Sequence, residues 1–162
     1  MVRKAMAAEP YELELDPATT ALLIIDLQRD FVMPGGLGEA LGNDVTPLPA
    51  TIAPTRAVLE AARRIGMLAI HTREGHRADP SDRPPTKLIR GRGKTRIGDL
   101  GPMGRILVRG EVGHDIVPEL YPEPGDVVAD KPGKGAQRPA GMSLALVSTL
   151  AAFVAVGAIL GS

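Results

Sequence analysis

The chain has 162 residues, enough for one domain, and balances 19 basic against 19 acidic residues, so its net charge recommends neither nucleic acid nor an anionic surface as a partner. It contains no cysteine, which excludes disulfides, thiolate metal sites and a cysteine nucleophile within these residues. Two Phe, two Tyr and no Trp leave the core to aliphatic side chains and supply little for base stacking, which argues against single-strand nucleic-acid binding. Residues 1–10 show no long apolar stretch before a cleavage-like site, so no secretory signal is expected there.

The first half alternates strand and helix patterns. Ala21 to Ile25 is a continuous apolar run after the turn-forming Asp16-Pro17, which suits a buried parallel strand ending at Asp26. Ile52 to Ile65 has helical periodicity, with Ile52, Val58, Leu59, Ala62 and Ile65 as its apolar stripe and Gly66 as the residue just past its end. Met67 to His71 resumes a short strand that runs into a polar loop, Thr72-Arg73-Glu74-Gly75-His76. Strand, helix, strand predicts a crossover in an open α/β sheet with functional loops beyond the strand ends.

Residues 77–104 are rich in Arg, Pro and Gly, a composition that predicts a long excursion. Arg105 to Arg109 is a candidate short strand, and Val127 to Ala129 another that ends at Asp130-Lys131. Lys131-Pro132-Gly133-Lys134-Gly135 lacks the glycine spacing and terminal Ser/Thr of a phosphate loop. From Ala140 onward no side chain ionises, and Met142 to Leu160 is almost wholly apolar. As a helix those residues span about 28 Å, against roughly 30 Å for a bilayer core. This predicts a membrane helix, with Arg138 at the interface and Ser143, Ser148 and Thr149 bonded to their own backbone, a helix buried across the sheet, or an apolar tail with no native partner.

Asp26 is the strongest local candidate for chemistry, because a carboxylate closing a buried strand can orient or deprotonate a nucleophile when a lysine balances it. Lys131, closing a second strand, is placed to stabilise developing negative charge. Their bland alternatives are a strand-end cap and a surface lysine before proline. Asp30 would share the face of Asp26 only on a helical turn, and Pro34-Gly35-Gly36 argues for a short turn instead. His71 and His76 lack helical metal-binding spacing, and the distant His114 does not complete a ligand set. Arg73, Glu74 and His76 are candidates to line a pocket, and Arg90, Arg92, Lys94 and Arg96 form a basic run suited to a solvated loop.

The segment Ala21-Leu22-Leu23-Ile24-Ile25-Asp26-Leu27-Gln28-Arg29-Asp30-Phe31 resembles the opening motif of the isochorismatase-like cysteine hydrolase superfamily. Four later segments follow in the same order: Thr72 to His76, Gly101 to Arg105, Gly113 to Ile116, and Asp130 to Ala136. They are similar in particular to the biuret hydrolase and ureidoacrylate amidohydrolase branches. The resemblance covers about residues 15–136 and implies a partial hydrolase domain there, an incomplete Rossmann-like three-layer α/β sandwich, with residues 137–162 as a divergent apolar tail.

By that resemblance Asp26 corresponds to the aspartate and Lys131 to the lysine of an Asp-Lys-Cys triad that hydrolyses an amide or ureide C–N bond through a thioester. No metal or other cofactor is implied, a small amide or ureide is the implied ligand, and homo-oligomers are common. After Ala136 such a chain continues with an aromatic residue, a helix, another core strand and a loop bearing the cysteine. Here Gln137-Arg138-Pro139-Ala140-Gly141 and the apolar tail follow instead. Ser143, Ser148 and Thr149 lie in that dissimilar tail, and their hydroxyls need a strong base and a built oxyanion hole to replace a thiol. Three expectations follow: a cytoplasmic hydrolase relative that is inactive as it stands unless a complementary chain restores the missing half, a non-catalytic small-molecule or protein-binding module, or a remnant touching a membrane through Met142–Leu160.

Overall fold

The computed structural model describes residues 3–7, 9–79, 81–83, 95–133 and 153–157, the last of these as backbone alone. Two short antiparallel strands, β1 (Lys4–Met6) and β2 (Leu13–Leu15), precede the apolar run, which forms β3 (Ala21–Ile25). The one-turn helices α1 (Arg29–Val32) and α2 (Leu37–Ala40) follow, then α3 (Ile52–Arg64) and β4 (Leu68–Glu74). A small antiparallel hairpin, β5 (Leu100–Gly101) with β6 (Gly104–Arg105), leads to β7 (Val127–Lys131) and β8 (Phe153–Gly157). The main sheet has the order β7-β4-β3-β8, and each neighbouring pair is parallel. The chain is therefore a mixed α/β fold built on a parallel sheet.

One helix and one face of the sheet make the main core. Leu22 and Ile24 of β3 and Ala69 of β4 pack with Ile52, Leu59 and Ala62 of α3, and Leu120 and Val117 close the far side. The stripe on α3 differs from the expected one. Val58 and Ile65 are exposed, whereas Thr55 is buried. At about 100° per residue, Val58 and Ile65 fall on the margin of the face centred on Ile52, Thr55, Leu59 and Ala62. The Thr55 hydroxyl settles into that face by donating to the Thr51 carbonyl at 2.7 Å.

Strand β4 runs three residues past His71, so Thr72, Arg73 and Glu74 are strand rather than loop. Strand β7 holds all three, with Thr72, Arg73 and Glu74 opposite Ala129, Asp130 and Lys131, and Ile25 of β3 pairs with Thr72 from the other side. Strand β7 likewise extends through Lys131. The expected strand at Arg105–Arg109 is confined to Gly104–Arg105, because Leu107 adopts a left-handed φ of 50° that breaks extension. The basic run lies outside the described residues except for Arg96.

Phe153–Gly157 form a strand, not part of a helix, and lie parallel to β3 with Ala21 opposite Phe153 and Ile25 opposite Gly157. This corrects the expected helix over Met142–Leu160 at those five residues; 142–152 and 158–160 lie outside the described residues. It also means that β3 is covered on the edge away from β4. The run Phe-Val-Ala-Val-Gly, short, apolar and partly β-branched, has the composition of an interior parallel strand. Among the described residues no helix is long and apolar enough to cross a membrane.

Candidate active site

Alternation along the strands decides which side chains meet. Leu22, Ile24 and Ala69 turn toward α3, so Ile25, Thr72 and Glu74, an odd number of residues away along their strands, share the opposite face with Lys131, which stands opposite Glu74. At the carboxyl end of β3 the chain bends away at Asp26, whose φ is 54°. Asp and Asn tolerate this left-handed conformation better than other side chains bearing a Cβ. The bend is held by Asp26 N–H, which donates to the Thr72 carbonyl at 3.2 Å.

The two carboxylate oxygens of Asp26 have separate partners. Lys131 Nζ donates to Oδ2 at 2.5 Å and Thr72 Oγ1 donates to Oδ1 at 2.7 Å. Lys131 also donates to the Gly133 carbonyl at 3.1 Å and lies 3.7 Å from Glu74 Oε2. Its side chain is only 2% exposed, against 20% for Asp26 and 10% for Glu74. The lysine is thus enclosed, and Asp26 is the more exposed member of the pair. Burial of an ammonium demands this matched set of acceptors, since an unpaired one is costly.

Gln28 organises the rim of the site. It is fully buried; its Oε1 accepts from Glu74 N–H at 2.7 Å, and its Nε2 donates to the carbonyls of Glu74 at 2.9 Å and His114 at 2.6 Å. The amide side chain acts as a strand partner for the end of β4 and ties it to the segment 113–117, where Gln28 and Ile116 form an antiparallel bridge. Arg29 N–H donates to the Asp115 carbonyl and Val117 N–H to that of Leu27, which completes the seam.

The other titratable candidates are not brought to Asp26. Asp30 does sit on a one-turn helix, but its carboxylate is buried and accepts from Leu107 N–H at 2.8 Å, so it anchors the strained Leu107 turn. Burial pushes its carboxyl above the ordinary range, with the Leu107 amide opposing. His71 faces α3 and places Nε2 3.3 Å from Asp126, which also binds Arg63. Burial draws His71 below its usual value; Asp126 opposes this and Arg63 adds to it. His76 is buried with Nδ1 3.3 Å from Asp82, and His114 lies 4.0 Å from Asp130. Burial, helped by the Arg73 guanidinium, lowers His114 as well. Arg73 grips Asp130 through Nε at 2.7 Å and Nη2 at 3.1 Å and reaches Asp115 at 3.2 Å. Among the described residues no group of three or more His, Asp or Glu converges as a metal site would require.

Asp26 and Lys131, the two residues singled out from the sequence, are therefore in direct contact across 105 positions of chain. Thr72 and the Gly133 carbonyl were not anticipated as their partners. A β-branched polar residue two positions before the end of a strand is a usable signal for Thr72; a backbone carbonyl leaves none.

Comparison with known proteins places the sequence and the fold among relatives. The isochorismatase domain profile matches residues 20–147. The ureidoacrylate amidohydrolase of Pantoea ananatis is 31% identical over 138 residues, 80% of this chain and 53% of that protein. Among solved structures, an isochorismatase family protein from Desulfovibrio vulgaris is 31% identical with a TM-score of 0.53, covering 73% of this chain and 55% of its own. The N-carbamoylsarcosine amidase of Thermoplasma acidophilum shares the fold, with 23% identity, a TM-score of 0.56 and coverage of 86% and 67%. The chain spans about half the length of that amidohydrolase.

Proposed function

Because the chain belongs to the isochorismatase family, we propose that Asp26 and Lys131 are the acid/base and charge-holding members of a site for hydrolysing an amide or ureide C–N bond, and that these 162 residues do not turn such a substrate over alone. The buried Lys131–Asp26 pair at the carboxyl edge of the sheet carries the proposal. In the chemistry the family resemblance implies, a thiol gives its proton to the aspartate and its sulfur attacks the carbonyl carbon. The C–N bond breaks, the amine leaves with the proton, and water hydrolyses the thioester. Asp26 has the exposure for the proton step. The sulfur has no source here, since the chain contains no cysteine.

Likeness to the ureidoacrylate amidohydrolase supports a small ureide as ligand. A thiol supplied by a complementary chain, and a homo-oligomer, are partners the same likeness leaves to be tested. A cytoplasmic setting rests on the family resemblance as well, and cell fractionation checks it.

The test is ammonia release from ureidoacrylate and biuret by the purified chain. The expected rate is that of buffer alone, and turnover would overturn the proposed inactivity. Intact-mass spectrometry of the protein from its own cells accompanies it. A 17.0 kDa species leaves the site without sulfur, whereas a longer one carrying a cysteine completes the hydrolase.

A binding role is the second reading. It is favoured by a polar pocket of about 440 Å³ lined by Arg29, Arg73, His114, Asp115 and Tyr121 among others. Saturable heat of binding for a small ureide, without hydrolysis, is its signature.

A further inference from the structure

Lys131 has two carboxylates near it, and they are held in different ways. Asp26 reaches it from a bend at the end of β3, whereas Glu74 stands opposite it in the register of β4 and β7. The proximity of Glu74 is thus dictated by the sheet. Its backbone is held on both sides: Gln28 bonds its N–H and its carbonyl, and the next amide, Gly75 N–H, donates to the Lys131 carbonyl at 3.0 Å. Glu74 Oε2 lies 3.7 Å from Nζ, longer than a hydrogen bond and within ion-pair range, in a side chain only 10% exposed.

Counting charge shows what the second carboxylate does. With both carboxylates ionised and the lysine protonated the group carries one net negative charge; when Asp26 takes up a proton it becomes neutral. Without Glu74 the same step leaves a buried ammonium with no counter-charge, a state that either expels its own proton or opens the site.

We propose that Glu74 is a positioning residue, the standing counter-ion of Lys131 that keeps its ammonium seated while Asp26 is uncharged, with Gln28 setting the backbone from which Glu74 reaches it. This deepens the hydrolase reading and rests on it only for the statement that Asp26 changes protonation during the reaction. The ion pairing itself is read without turnover.

Asp26→Asn imitates the uncharged state and keeps a side chain that tolerates the left-handed backbone. The measurement is the ¹H–¹⁵N correlation of lysine ammonium groups near neutral pH, in which only an ammonium shielded from solvent exchange gives a signal. The Lys131 signal is assigned by its loss in Lys131→Met. It is expected in the unaltered chain, in Asp26→Asn and in Asp26→Asn/Glu74→Asp, and absent in Asp26→Asn/Glu74→Gln. Loss in Asp26→Asn alone, or survival in Asp26→Asn/Glu74→Gln, overturns the proposal.

If the latter double variant does not fold, Lys131→Met is added to it. Recovery of folding then identifies the uncompensated ammonium as the cause and supports the proposal. Continued failure shows that Glu74 acts through something other than Lys131 and overturns it. If intact mass finds a longer, cysteine-bearing species and it hydrolyses neither ureidoacrylate nor biuret, the hydrolase reading falls, whereas persistence of the signal in Asp26→Asn leaves this pairing intact.

Discussion

The Gln28 side chain and the Glu74 backbone are joined as adjacent strands are, with one bond accepted at 2.7 Å and one donated at 2.9 Å. Gln28 precedes α1 and lies beyond the last residue of β3, so this amide continues the sheet where its regular ladder stops. The rim of the site, from Glu74 to His114, depends on it.

Gln28→Ala removes both bonds and the third to His114, leaving buried backbone groups unmatched at about 1–3 kcal/mol each before relaxation. The expected loss of stability is about 3 kcal/mol, read from urea unfolding. A loss under about 1 kcal/mol would mean that water replaces the amide and that the clamp is dispensable.

Gly75 lies against His114 so closely that an added Cβ would overlap the ring at Cδ2 and Nε2. Gly75→Ala is expected to cost about 2 kcal/mol by overpacking. Because the clash has a single named partner, Gly75→Ala should cost much less in a His114→Ala background. Additive losses in the double-mutant cycle would place the strain in the backbone instead.

Gly66 ends α3 at a φ of 73°, with no atom within 4 Å of the place a Cβ would take. A side chain there meets no neighbour, and only the left-handed backbone opposes it, which costs about 1 kcal/mol for Gly66→Ala. Gly66→Asn should recover part of that loss in thermal melts, since Asn tolerates the conformation. Equal losses for both variants would show that the cost lies elsewhere.

His71 and His114 both titrate below 6.5 in the fold, chiefly through burial. As pH falls through 6.5 the unfolded chain takes up protons that the folded one refuses. Stability therefore declines from 6.5 downward until each histidine reaches its own folded value, where its contribution levels off. The slope cannot exceed about 1.4 kcal/mol per pH unit for each histidine. His71→Gln should remove one share of it. An unchanged slope in urea titrations between about pH 5 and 6.5 would exclude His71 as a source.

Much of the candidate site was legible before the fold was known because strand ends advertise themselves. Five apolar residues stop at Asp26, a second short run stops near Lys131, and parallel strands deliver their carboxyl ends to one edge. The helix at Ile52–Arg64 was likewise written in its periodicity. The tail was harder, since an apolar run such as Phe153–Gly157 satisfies helix, membrane span and buried strand alike, and pairing with β3 decided among them.

By itself the sequence determined the α/β class and the lack of any thiol in these residues, through local pattern and composition, and it offered Asp26 and Lys131 as strand-end candidates whose pairing only the family resemblance implied. Only the tertiary structure decided that Thr72 and the Gly133 carbonyl share in holding the Asp26–Lys131 pair, that Glu74 belongs to the lysine, and that Asp30 and the three histidines serve elsewhere. The physical reason is that strand register and alternation bring together side chains far apart in the chain, and a one-residue shift would send Glu74 and Lys131 to the other face.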